Sequence, residues 1–392
     1  MTANGSAKAY NDRNVYILGA GFSAEACLPV IRDFMNRMRD AAAWLEEQGD
    51  RKDEVMAIAS VLDFRLKAAA AAYRVPLNVE NIEELFSLAS ATDRPELSDH
   101  VTLAIAATLD YCRATSPELR PVSVTKLADT KWEKPPNWHF GHDLKDTYPM
   151  AKGSVYSCPP CEFYVGLLCG YFDEGGTDRR DTIISLNYDT IVEDALSDLG
   201  LPLCYAENDM IEWRPPRPWT DVDQRPIPVL KLHGSVNLAA RIKKDVDALQ
   251  LLAYPSYQDL RREGLWPMLV APTWQKSLGG YLSAVWREAV SALRTATRVV
   301  ILGYSVPQTD QHFRYLVAAG LQENISLRKV LIINPNESEE FKQQLSSLFR
   351  TEHFEHDFIE HVPRTVSQFL LTENGGHRIG RTLKEGAWRF AT

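Results

Sequence analysis

Short apolar runs without polar alternation recur along this chain and divide it. The first is Asn14-Val15-Tyr16-Ile17-Leu18, stopped by Gly19. The same texture returns at Thr182-Ile183-Ile184-Ser185-Leu186, Pro228-Val229-Leu230-Lys231-Leu232, Met268-Leu269-Val270, Arg298-Val299-Val300-Ile301-Leu302 and Lys329-Val330-Leu331-Ile332-Ile333. A strand covered on both faces has no solvent side for polar residues to mark, so these runs predict buried strands of a parallel sheet. Apolar residues at helical spacing fill the later intervals, as at Ala284 to Ala296 and Gln311 to Ala319, the latter closed by Gly320. Crossover helices of this kind complete βαβ units.

The interval after the first run reads differently. From Ile31 to Ala72 the chain is rich in Ala, Met, Leu, Arg and Glu at helical spacing, and Asn81 to Ser90 and Val101 to Cys112 also read as helices. Pro121 to Lys152 is irregular and rich in Pro, Trp, His and Lys, the texture of a long loop or adaptor. The pattern predicts an α/β fold: a doubly wound, Rossmann-like parallel sheet of about six strands, with a large helical insertion after the first strand. The core is expected at 14–35 and 181–336, the insertion or adaptor at 36–180, and a helical tail at 337–392. No internal repeat or low-complexity tract interrupts this scheme.

In an open parallel sheet the ligand crevice lies outside the carboxyl ends of the strands. The residues that follow the predicted strands are Gly19-Ala20-Gly21-Phe22-Ser23, Asn187-Tyr188-Asp189, His233-Gly234-Ser235, Ala271-Pro272-Thr273, Gly303-Tyr304-Ser305 and Asn334-Pro335-Asn336. Glycines, amides and hydroxyls therefore collect at one edge. Gly19 and Gly21 permit a tight turn, and a following helix would offer its N–H groups to a pyrophosphate. The same residues fit G-x-G-x-x-A, with Asp40 at about 20 residues' distance as a ribose acid, but that reading needs a second strand before Asp40 where the sequence is helical. His233, at a strand end before a glycine, reads as facing the crevice, against the alternative of a buried, hydrogen-bonded core histidine. Asn187 at the neighbouring strand end favours the crevice, since an amide and an imidazole on one pocket can orient a ribose and accept its proton. Asp189 has two readings of equal weight, ligand contact or a cap on the helix that begins near Thr190.

Composition narrows the function classes. The chain has 392 residues, 45% apolar and 24% charged, as a globular protein with a substantial core should. Its net charge of −9 argues against general nucleic-acid binding, which calls for a basic excess. The first residues lack a signal-peptide core and no apolar run approaches the roughly 18 residues of a spanning helix, so a cytoplasmic protein is expected, with no membrane partner. The six cysteines are then expected as reduced thiols. His139, His142, Cys158 and Cys161 could form a tetrahedral metal site, but the spacing matches no familiar zinc pattern and a Pro-rich turn with free thiols is the preferred reading, so no metal is predicted. Trp132 and Trp138 read as packing residues, and Glu80, Glu83 and Glu84 as a helix face.

Four ordered pieces, GAGFSAEACLP at 19–29, SLNYD at 185–189, KLHGS at 231–235 and LGYSVPQTD at 302–310, with IINPN at 332–336 as a weaker fifth, resemble the SIR2 (sirtuin-like) superfamily. The resemblance implies an NAD pocket in which Gly19, Ala20, Gly21, Phe22 and Ser23, with Gly303, Tyr304, Ser305 and Asn334, hold the dinucleotide. It also implies that Asn187 and His233 are the catalytic pair and that Asp189 is the acid near the nicotinamide. NAD would be substrate rather than resident cofactor.

The departures point to a branch. Sirtuin deacylases carry a four-cysteine zinc module shortly after the catalytic His-Gly, and no cysteine lies between His233 and the last predicted strand; Cys27 stands where the deacylase nucleotide loop has glycine. The sequence thus looks more like the zinc-free SIR2-like NADases of bacterial antiphage defence, which release nicotinamide and ADP-ribose. That resemblance implies an NAD hydrolase held inactive until triggered, a homo-oligomer, and a partner such as a HerA-like ATPase or an Argonaute. The alternatives are an NAD-dependent protein deacylase or ADP-ribosyltransferase, and a non-catalytic NAD or ADP-ribose sensor. The presence of both Asn187 and His233 counts against the sensor.

Overall fold

The computed structural model describes residues 13–371 except 93, 118, 120–121, 126–154, 159, 172–180, 206–210, 214–224, 244–247, 272–279 and 308–309. Seven strands form its main sheet: β1 Asn14–Leu18, β2 Thr182–Ser185, β3 Leu203–Cys204, β4 Ile227–Lys231, β5 Arg298–Leu302, β6 Lys329–Ile333 and β7 Ile359–Val362. Their order is β7-β6-β5-β1-β2-β4-β3, and every neighbouring pair is parallel. The chain leaves β1 toward β2 on one side and later adds β5 on the other. The β1/β5 junction is thus the point where an open α/β sheet parts its connections and opens a crevice.

The unbroken apolar runs have a direct cause in the two layers. Tyr16, Leu18, Ile183, Val229, Val300, Leu302, Leu331 and Ile333 face one core, covered by helices that include Pro160–Leu168, Ile191–Asp198 and Val366–Leu370. Their neighbours Val15, Ile17, Ile184, Leu230, Val299, Ile301, Val330 and Ile332 face the other, under helices Gly280–Thr295, Gln311–Leu321 and Glu339–Leu348. Successive side chains point to opposite faces, and here both faces are dry. The helices Ile31–Gln48, Lys52–Ala72, Ile82–Ser90 and Pro95–Thr115 bury a separate core of their own, including Met38, Leu45, Ile58, Leu85 and Ile105. Val236, Tyr257 and Leu269 join this third core from the later part of the chain.

Three details differ from the pattern-based expectation. Met268–Leu269 lies outside the main sheet and pairs antiparallel with Gly234–Ser235, while β3 and β7 supply the two edges. The segment beyond 336, expected to be helical, thus contributes a strand as well as helices. Gly320 does not end its helix, which runs to Leu321; a Cβ there would run into the Leu293 side chain, so the glycine serves close helix packing. In agreement with the sequence pattern, Asp40 sits inside helix Ile31–Gln48, so the strand that a dinucleotide fingerprint of the dehydrogenase kind would require is not there. Among the described residues no helix is long and apolar enough to cross a membrane.

Candidate functional site

The first strand-end turn is built by backbone contact. A Cβ on Gly19 would stand 2.7 Å from Tyr304 Cα, and one on Gly21 2.8 Å from Gly303 Cα. Gly303 itself has φ 67°, a left-handed conformation, and a Cβ there would collide with the Phe22 nitrogen. Two hydrogen bonds close the junction, Gly19 N–H to Leu302 O at 2.9 Å and Gly21 N–H to Gly303 O at 2.8 Å. Glycine is therefore required here because β1 and β5 end in mutual backbone contact at the switch point. The two amides are engaged within the protein rather than offered to a ligand. Cys27, which stands at the usual glycine of the deacylase loop, adopts φ 62°, the conformation glycine favours.

Asn187 follows β2 and reaches across to this turn. Its Nδ2 donates to Gly19 O at 2.9 Å and to Ser23 Oγ at 2.7 Å. Ser23 in turn donates to Asp189 Oδ2 at 2.6 Å. The other oxygen, Asp189 Oδ1, accepts from the Ile191 N–H at 3.1 Å, the first residue of helix Ile191–Asp198. Asp189 thus receives the first backbone N–H of the helix, as the capping reading expects, and it also holds the glycine turn through Ser23. The Gly19 and Ser23 bonds engage both amide hydrogens of Asn187.

His233 follows β4 and is buried. Its Nδ1 lies 3.1 Å from Leu186 O, the carbonyl next to Asn187. A carbonyl only accepts, so Nδ1 carries the proton and Nε2 carries the basic lone pair of the neutral ring. Tyr188 and Trp286 flank the imidazole, each with its centroid 6.3 Å away. Both rings are fixed at their polar tips, Tyr188 by donating to Val270 O at 2.6 Å and Trp286 Nε1 to Leu232 O at 2.8 Å. Burial pushes the Tyr188 phenol far above its ordinary range, so it remains a donor.

The remaining predicted residues lie at the β5 and β6 ends. Asn334 is buried, and its Nδ2 donates to Tyr304 O at 2.9 Å. Tyr304 donates to Asp310 Oδ2 at 2.7 Å, and Asp310 also caps helix Gln311–Leu321. Ser305 is exposed at the same edge. Gly19, Ala20, Gly21, Phe22 and Ser23, Asn187, Asp189, His233, Gly303, Tyr304, Ser305 and Asn334 thus all stand at the carboxyl edge of β1, β2, β4, β5 and β6. Hydrogen bonds join Asn187, Ser23 and Asp189 to one another, and another ties Asn334 to Tyr304.

Sequence reading passed over two charges beneath this edge. Lys231, the last residue of β4, and Glu193, from the helix after Asp189, are both buried, with Nζ 3.3 Å from Oε1. A lysine inside an otherwise apolar parallel strand was the available signal. Of the suggested metal ligands, His139, His142 and the Cys158 side chain lie outside the described residues. Burial pushes the Cys161 thiol up to about 12. Among the described residues no group of three or more His, Cys, Asp or Glu is placed to hold a metal, and Cys27, Cys112, Cys161, Cys169 and Cys204 form no disulfide.

Residues 181–356 match the family model described as a SIR2-like domain. No curated protein sequence matches the chain. Among solved structures it is similar to a Sir2 in complex with the inhibitor EX-527, 2'-O-acetyl-ADP-ribose and a deacetylated p53 peptide, at 13% identity, 94% coverage of each chain and TM-score 0.35. It is also similar to a mutant Sir2 homologue in complex with ADP-ribose, at 12% identity, 94% coverage of this chain and 91% of that one, and TM-score 0.39. A third likeness is to a Sir2 with p53 peptide and NAD+, at 13% identity, 93% coverage of each and TM-score 0.35. Superpositions at this level carry no inference about chemistry.

Proposed function

We propose that this chain, whose residues 181–356 match a SIR2-like domain, is a member of the SIR2 superfamily and an NAD glycohydrolase that splits NAD and water into nicotinamide, ADP-ribose and a proton. One observation carries the reading: the His233 imidazole is bonded to the carbonyl beside Asn187, and the Asn187 amide is bonded to the glycine turn at the switch point. Amide and imidazole are thereby fixed relative to each other at the edge where a dinucleotide belongs.

The chemistry asks little else of the protein. Nicotinamide leaves as a neutral group from a cationic glycosyl nitrogen, so the enzyme has to hold the ribose, tolerate an oxocarbenium-like centre and admit one nucleophile. In this reading Asn187 Oδ1 holds a ribose hydroxyl or the attacking water, and His233 Nε2 takes the proton released when the new C–O bond forms. Ser305 and Asn334 hold the adenosine half. The glycine junction keeps β1 and β5 close enough for one ligand to lie across both ends.

Unchecked cleavage of NAD would harm the cell that makes the enzyme. We therefore propose a cytoplasmic, oligomeric effector of antiphage defence, inactive until a trigger or a partner such as a HerA-like ATPase or an Argonaute releases it. The separately packed helical block and the segment after residue 336 are the surfaces available for such contacts. The test is incubation of the purified protein with NAD, with and without candidate partners, and chromatography of the products. Nicotinamide and ADP-ribose should appear without any acylated protein, and Asn187→Ala and His233→Ala should each lower the rate by about 10²-fold or more. Release that requires an acylated substrate would make the protein a deacylase instead, and binding of NAD without cleavage under every condition would make it a sensor.

A further inference from the structure

We infer that Lys231 and Glu193 form a buried strut that sets the orientation of the Asn187 amide, acting as positioning residues through the Asp189 loop. The inference rests on the glycohydrolase reading for its kinetic consequence, but its structural content stands apart from that reading.

A lysine in the middle of a sheet is costly, since taking an ammonium out of water is compensated only by a close partner and further hydrogen bonds. Lys231 has both. Its ammonium donates to the backbone carbonyl of Asp189 and lies 3.3 Å from Glu193 Oε1, and neither side chain is more than 2% exposed. The two contacts lead in different directions. Glu193 anchors the ammonium to helix Ile191–Asp198, while the carbonyl belongs to the loop that carries Asn187. From that loop the chain of bonds continues without a break: Ser23 donates to the Asp189 carboxylate, and Asn187 donates to Ser23 and to Gly19. Lys231 is also the last residue of β4, two positions before His233. A single ammonium therefore ties the end of β4, which carries the imidazole, to the loop after β2, which carries the amide, and through Ser23 to the turn after β1.

A pair kept only for stability would be replaceable. Removing two buried charges together and filling the space with apolar groups is often neutral for folding, whereas removing one leaves the other stranded. The proposed role differs from a structural one at that point, because no apolar side chain can hold the Asp189 carbonyl. The glutamate alone cannot do it either, since a carboxylate does not donate to a carbonyl.

The experiment compares Lys231→Met, Glu193→Gln and the double replacement Lys231→Met with Glu193→Leu, in the full-length chain. Each is measured for melting temperature, for hydrogen exchange of the amides from Asn187 to Ile191, and for kcat and KM toward NAD. Lys231→Met should melt well below the wild type, and the double variant should recover most of that loss. In the double variant the 187–191 amides should nonetheless exchange at least tenfold faster than in the wild type, and kcat should stay at least tenfold down with KM changed less than threefold. A double variant with wild-type exchange in this loop and wild-type kcat would overturn the strut. If the wild type releases no nicotinamide under any condition, the glycohydrolase reading fails while the exchange comparison still decides whether Lys231 orders the loop.

Discussion

At Gly303 a left-handed backbone and a contact too close for any side chain coincide, and the β1/β5 junction depends on both. Gly303→Ala should cost about 3 kcal/mol or more, from left-handed strain and the collision with Phe22 together; a thermal melt within experimental error of the wild type would contradict this. Cys27 offers the opposite case. Its φ of 62° costs an L-residue about 1–2 kcal/mol, while glycine gives back part of that through the freer unfolded chain, so Cys27→Gly should stabilise by about 0.5 kcal/mol. Cys27→Val should destabilise by comparison, and denaturant midpoints for the pair would check the sign. At this scale the sequence was informative about position wherever a polar residue follows an apolar strand. Asn187 and His233 could be picked out because each follows an apolar run, whereas the Lys231–Glu193 pair could not, because nothing in a linear pattern says which buried charges meet.

Among the elements, legibility followed burial. The five central strands were readable because both of their faces are covered and their apolar runs are unbroken. The edges were not: β3 has only two residues, and β7, Ile359-Glu360-His361-Val362, breaks its apolar run with two polar, partly exposed residues in the middle. Met268–Leu269 misled because a short apolar pair is equally at home in a minor ribbon against Gly234–Ser235. The hairpin Leu238–Lys243 with Ala248–Ala253 was missed altogether, its apolar positions being mixed with Arg241, Lys243 and Gln250. One pair of elements carries a pH signature. Helices Pro160–Leu168 and Ile191–Asp198 pack together, and burial, reinforced by the Asp198 carboxylate, pushes Glu162 up to about 7 from 4.5. A carboxyl whose folded value is raised is protonated in both states at low pH. It then loses stability as pH rises from about 4.5 to about 7, and the loss is constant above that. Glu162→Gln should therefore melt higher than the wild type at pH 8, with the gap closing toward pH 4.5; a gap independent of pH would sink the assignment.

The whole molecule is larger than the span that carries the recognisable motifs. The sequence placed the end of the nucleotide core at 336, yet the helix Glu339–Leu348 buries Phe341 and Leu345 in one core, and Val362, Val366 and Phe369 enter the other. Each such side chain contributes about 1.5–3 kcal/mol on burial, and a net folding stability of only about 5–15 kcal/mol cannot absorb the loss of five. A chain ending at residue 336 should consequently show no cooperative melt, and a soluble monomer with a sharp transition would refute that. The SIR2-like match, over residues 181–356, likewise runs past 336. What holds the site together is the meeting of distant segments: the turn after β1, the loop after β2 and the end of β4 come from positions 19, 187 and 233, and the helical block lies between the first two along the chain.

The most direct measurement is a crystal structure of His233→Ala soaked with NAD. The account predicts intact dinucleotide across the ends of β1 and β5, with its nicotinamide ribose within hydrogen-bonding distance of Asn187 and facing the space vacated by the imidazole. Dinucleotide bound with that ribose away from both positions, or lodged elsewhere on the protein, would contradict it.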